Sequence, residues 1–166
     1  MSQIDTKRDV GPTDAELLSI GKLHFLASFC PLHRRMPALG LARVFYPALN
    51  NSCVRFFENE AGKTAAALIW ARLSDDVSGD LTQAGRIPTE DEWVSGSRLW
   101  FLDLIAPFGH GQMVARSIAR NPPKEPFWFA RLDGNGKLRK VVRGDASAPM
   151  GQRVATQFGS DPGRAV

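Results

Sequence analysis

The segment "SRLWFLDLIAPF", residues 97–108, limits the possible folds more than any other stretch of the chain. On a strand, Arg98, Trp100, Leu102 and Leu104 would share one face and Leu99, Phe101, Asp103 and Ile105 the other. Both faces are apolar, which predicts a central strand covered on two sides. Asp103 then lies among apolar side chains, where an unpartnered carboxylate costs several kcal/mol. It must be protonated, bonded to a turn, or paired with an imidazole or guanidinium.

The flanking segments surround such a strand with helices and further strands. "TDAE" at 13–16 has the form of a capping box, and Leu17, Ile20, His24 and Phe25 recur at helical spacing, so a helix is expected over 13–28. Pro31 stops it, and a second helix should follow Pro37, with Leu41, Val44 and Phe45 inward. "CVRFFE" and "KTAAALIWARL" read as an antiparallel hairpin and "GQMVARSIARN" as a short helix with Met113, Val114 and Ile118 inward. "FWFARL", the "DGNGK" turn and "KLRKVV" read as a closing hairpin whose cations point to water, in preference to a nucleic-acid platform. Residues 74–96 read as a polar surface excursion. The expectation is an α/β (α+β) fold with a mixed sheet: a disordered lead over 1–12, one domain over 13–144, and a poorly structured tail over 145–166 with at most a short helix near Gln152–Phe158.

Bulk properties narrow the function classes. With 166 residues, 43% hydrophobic and 23% charged, the chain can bury a core without metal or disulfide support. No run approaches the roughly 18 apolar residues of a membrane span. The mixed-charge N-terminus is no secretory signal, and two cysteines suit a reducing compartment, so a cytoplasmic location is expected. A net charge of +4 favours acidic partners.

Of the three histidines, His24 reads as core and His110, in "FGHGQ", as solvated. His33 lies in "CPLHRRMP", where Pro31 and Pro37 restrict the backbone as a positioned general base requires. It is the natural partner for Asp103; a loop histidine near a helix end is the alternative. Cys30 reads as a small buried thiol or an auxiliary nucleophile, since a helix C-terminus does not favour its thiolate. A zinc site from His24, Cys30, His33 and Cys53 lacks paired ligand spacing, so no metal is expected.

"PLHRRMP", the following "FYPALNN", "IWA" at 69–71 and above all "WVSGSRLWFLDLIAPFG" resemble the RTX-toxin-activating lysine acyltransferases, the hemolysin-activating type, from about Gly21 to Gly144. The resemblance implies a Gcn5-related N-acetyltransferase-like fold whose central strands splay to admit an acyl donor. It implies transfer of a fatty acyl group from acyl carrier protein to the ε-amine of internal lysines of a protoxin, with no bound cofactor. The family's catalytic histidine and aspartate fall on His33 and Asp103. Because acyl carrier proteins are acidic, Arg34, Arg35, Arg116 and Arg120 become candidate docking cations, and relatives imply a homodimer. The chain departs from the family pattern in Cys30 for serine, Met36 for tryptophan, Ser97 for aspartate and Leu104 for tryptophan. These changes bear on acyl length and target more than on fold. Cys30 also raises a covalent acyl-thioester route, although direct attack assisted by His33 is simpler. The rival readings are a non-catalytic carrier- or acyl-binding relative and a small-molecule N-acyltransferase with a coenzyme A donor.

Overall fold

The computed structural model describes residues 11–132 and 138–159. The first ten residues of the expected lead, and the "DGNGK" turn, lie outside the described residues.

Helix α1 (Asp14–Phe29) starts at the expected capping box: the Thr13 side chain accepts from the Glu16 N–H at 3.2 Å, and the Glu16 carboxylate accepts from the Thr13 N–H at 2.7 Å. Its buried face is Leu23, Leu26 and Ala27, whereas Leu17 and Phe25 are exposed, so the inward stripe is rotated from the expected one. The cause is that α1 is apolar over much of its circumference, and packing against α2 (Ala38–Asn50) and the sheet selects the face. On α2, Leu41 and Phe45 are buried as the spacing predicts, and His24 sets its ring edge against Phe45 at 5.3 Å between centroids.

Among the described residues six strands form one sheet in sequence order: β1 (Val54–Glu58), β2 (Thr64–Leu73), β3 (Arg98–Ile105), β4 (Phe127–Leu132), β5 (Leu138–Gly144) and β6 (Val154–Gly159). All neighbours are antiparallel except β3 and β4, joined in parallel through helix α4 (Gly111–Arg120). This is the expected mixed, mainly antiparallel α/β architecture. The expected helix near 152–158 is instead a short 3₁₀ turn at Met150–Gln152 followed by β6, which pairs with β5 and carries the sheet past residue 144. Its "VATQF" core is rich in the β-branched and aromatic residues that fit a pleated surface.

The polar excursion also contains a helix. Ser74 caps α3 (Asp75–Ala84) by accepting from the Val77 N–H, and Val77 is buried with Leu81 packed on the same core. Beyond it Trp93 is fully buried, its Nε1–H donating to the Trp70 carbonyl at 2.9 Å. The chain then crosses β2 so closely that a Cβ on Gly96 would sit 2.5 Å from the Ser74 Cα, which makes glycine obligatory there.

The sheet separates two apolar clusters. The larger lies under α1, α2 and α3 and includes Phe45, Ile69, Trp93, Trp100 and Ile105; the smaller lies under α4 and includes Leu68 and Val114, with Phe101 packed on it. Phe101 and Ile105 have the same parity yet serve opposite clusters. The β2–β3 register supplies the reason. Ile69 faces Asp103 but Trp70 faces Phe101, so Leu102 is an extra residue, a β-bulge. Strict alternation therefore fails within the segment that carries the acid.

Candidate active site

The site is built by two prolines and one bulge. Pro31 drives Cys30 into extended backbone (φ −83°, ψ 124°) and ends α1. Pro37 does the same to Met36 (φ −80°, ψ 139°) and occupies the N-cap of α2. Between them His33–Arg35 make a single 3₁₀ turn, closed by Met36 N–H donating to the His33 carbonyl at 2.9 Å. The turn faces the sheet with His33, which is only 3% exposed. On β3, the bulge at Leu102 re-aims the following residue, and Asp103 meets the ring.

His33 Nε2 lies 2.7 Å from Asp103 Oδ2, and His33 Nδ1 lies 2.9 Å from Cys30 Sγ. Thiol, imidazole and carboxylate thus form one line of contacts, with Asp103 fixing which ring nitrogen is committed. Burial alone would push the imidazole pKa down. The hydrogen bond and charge of Asp103, assisted by Cys30, outweigh burial and raise it to about 9. For Cys30 burial opposes ionisation, but hydrogen bonds and charge from His33 prevail and the thiol is lowered.

Two cavities meet at this pair and share Leu32, His33, Leu102, Asp103 and Ala130 as a common wall. One, of about 740 Å³, lies where β3 and β4 part, floored by Phe101 and Phe129 and bounded by α4; Cys30 opens into it. Only Leu99–Phe101 of β3 register with β4, which leaves the ends beyond free to diverge around it. The other, of about 230 Å³, lies on the opposite side under α2 and α3, walled by Val44, Phe45, Trp93 and Trp100.

His33, Asp103 and Cys30 are therefore brought together. Arg34 and Arg35 are exposed on the same turn, and Arg116 and Arg120 are exposed on α4 beside the larger cavity. None of the four forms an ion pair among the described residues. His110, expected in solvent, is partly buried at the start of α4, and its Nδ1 has no hydrogen-bond partner among the described residues. Sequence reading missed the walls of the smaller cavity, Trp93 and α3. The signal was present in Ser74 as an N-cap, followed by Val77 and Leu81 at helical spacing.

A histidine–carboxylate pair thus stands where two mainly apolar cavities meet. The profile of the RTX toxin acyltransferase family matches residues 13–144, and the chain belongs to that family. It is similar to lysine-acyltransferase RtxC of Vibrio cholerae (33% identity; 61% of this chain and 66% of that protein). It is also similar to the RTX-I toxin-activating lysine-acyltransferase ApxIC of Actinobacillus pleuropneumoniae (30%; 74% and 70%). A third relative is the protein-lysine myristoyltransferase HlyC of Escherichia coli (28%; 84% and 83%). The resemblance in the two sequence motifs is borne out by these matches, and the protein is an acyltransferase. Among the described residues no helix is long and apolar enough to cross a membrane.

Proposed function

We propose that the protein transfers a fatty acyl group from acyl carrier protein to the ε-amine of lysines in a protein substrate, an RTX protoxin being the class its relatives' names suggest. His33 is the general base and Asp103 its orienting partner. The observation that carries this reading is the 2.7 Å contact between the two in a site open to two cavities.

Nε2–H is held by Asp103, so Nδ1, which contacts the Cys30 thiol at 2.9 Å, is the nitrogen that must turn from the thiol to the substrate. A lysine amine has a pKa of about 10.4 and is protonated near neutrality. With its pKa raised to about 9, His33 is itself mostly protonated near neutrality, so only the fraction with Nδ1 free takes the lysine proton, and that fraction grows as pH approaches 9. The freed amine attacks the thioester carbonyl, the C–N bond forms, and the C–S bond breaks. The departing carrier thiolate takes the proton from His33, and the second amine proton leaves to solvent as the amide forms. Asp103 stabilises the imidazolium between these transfers, as the carboxylate does in a serine–histidine–aspartate site. The larger cavity suits the carrier's arm, and the unpaired cations on its margins suit an acidic carrier surface. The cytoplasm, where acyl carrier protein resides, is the matching compartment, and a homodimer is the matching assembly by family resemblance.

His33→Ala is expected to abolish transfer with the circular-dichroism spectrum retained and the melting temperature lowered by the loss of the pair with Asp103. Near-wild-type addition of acyl mass to a target, seen by intact-mass spectrometry, would refute the assignment. A second reading is favoured by the Cys30–His33 contact: Cys30 takes the acyl group first, and lysine attacks the acyl-thioester. Direct transfer remains the preferred route because it needs no covalent step.

A further inference from the structure

We propose that the 230 Å³ cavity under α2 and α3 is the acyl chamber, holding the tail of the donor while its thioester lies at His33, and that Met36 and Val44 set the chain length accepted. The proposal rests on the acyl-transfer reading above and names the part of the site that would select the substrate.

The cavity reaches the reacting centre, since His33 and Asp103 form part of its wall. Apart from that pair its lining holds no ionisable side chain. The polar groups of its two indoles are already satisfied: Trp93 Nε1–H donates to the Trp70 carbonyl and Trp100 Nε1–H donates to Ser78 Oγ, each at 2.9 Å. The hydroxyl on the lining, Thr82 Oγ1, already donates to the Ser78 and Gly79 carbonyls, so the wall offers a ligand mainly apolar surface. A lysine side chain is the rival occupant, but its ammonium would lose hydration facing only Asp103, which His33 already engages. The larger cavity is also mainly apolar but differs in having the charged side chains of Asp145 and Arg153 on its lining, which gives a carrier's arm polar groups to meet.

Capacity permits it: at about 230 Å³ the cavity is many times the roughly 10–15 Å³ that admits a single water, so it has room for an alkyl tail. Met36 and Ile87 stand at its exposed rim, at 39% and 48% exposure, whereas Phe45, Trp93 and Trp100 are its buried wall. Met36 is unbranched and adaptable, at a position where the family motif has tryptophan. Val44 projects from α2 between rim and wall and is only partly buried, so enlarging it fills the cavity.

The test uses the full chain and acyl carrier protein charged with saturated acyl groups from roughly four to sixteen carbons, so that each added methylene in the chamber strengthens binding about fourfold. Donor affinity is read from tryptophan fluorescence, to which Trp93 and Trp100 contribute from the wall, and transfer from single-turnover mass spectrometry. For wild type the gain per carbon is expected to end at a definite chain length within that series, where the chamber is full. Met36→Ala should move that end point to longer chains and Val44→Phe to shorter ones. Should Val44→Phe fail to fold, Met36→Ala, at a partly exposed position, carries the test alone. An unchanged chain-length profile in both variants overturns the chamber while leaving acyl transfer in place. Variants that instead raise the KM for the acceptor equally with every donor also overturn it, because the cavity then houses the lysine. Failure of wild type to bind or use any charged carrier removes the acyl-transfer reading itself, and the chamber with it.

Discussion

Replacing Asp103 by asparagine separates the charge of the pair from its shape. The amide keeps the size of the carboxylate and can still accept from His33 Nε2–H, but the negative charge is gone. The folded His33 pKa of about 9 stands against an ordinary value of 6.5. At 1.36 kcal/mol per unit that gap is worth on the order of 3 kcal/mol, an upper figure because the Asp103 side chain keeps 22% of its exposure. The sign follows from the raised pKa. The stabilisation is fully present below pH 6.5, where the unfolded imidazole is also charged, and is lost as pH rises through about 9. In Asp103→Asn burial acts with no opposing carboxylate, so the His33 midpoint should fall to 6.5 or below. Ring-carbon NMR titration reads that midpoint directly, and urea denaturation across pH reads the consequence: wild type should exceed the variant most near pH 6, with the gap closing towards pH 10. The pH–kcat/KM profile should follow, with wild-type activity climbing towards pH 9 as Nδ1 becomes available and the variant reaching its lower plateau earlier. A His33 midpoint unmoved by the substitution would show that the carboxylate does not set the proton affinity of the ring, and Asp103 would not be the partner of a general base.

Cys30→Ser should retain acyl transfer, since direct attack does not need the thiol; loss of turnover, with an acyl-cysteine trapped in wild type after acid quench, would instead establish the covalent route. Gly96→Ala should destabilise the fold by about 1–3 kcal/mol, because its methyl meets the backbone of Leu73 and Ser74, which cannot rotate away; an unchanged urea midpoint would count against the close crossing. Reversing Arg116 and Arg120 to glutamate should raise the KM for acyl carrier protein at low salt and flatten its ionic-strength dependence, with the melting temperature unchanged. A salt profile identical to wild type would remove α4 from the docking surface.

The sequence alone determined several parts of this protein. The Thr13–Glu16 box and the prolines at 31 and 37 are local instructions: each acts on its own backbone whatever the rest of the chain does. They fix where α1 begins, where it stops, and the narrow turn that holds His33. The two-sided apolarity of 97–108 likewise made β3 central and left Asp103 in need of a partner, because burial of a carboxylate is costly in any fold. Parity could not give the face on which that partner waits. The bulge at Leu102 arises from the register between β2 and β3, a property of two strands that neither encodes separately. The same holds for α1, whose apolar residues surround much of the helix, so that packing chose Leu23 and Leu26 over Leu17 and Phe25. The two cavities exist only between elements far apart in sequence, with Trp93 and α3 closing one and α4 the other. Local backbone preferences wrote the elements and named the reactive pair; long-range packing decided which way the acid points and what volume stands open beside it.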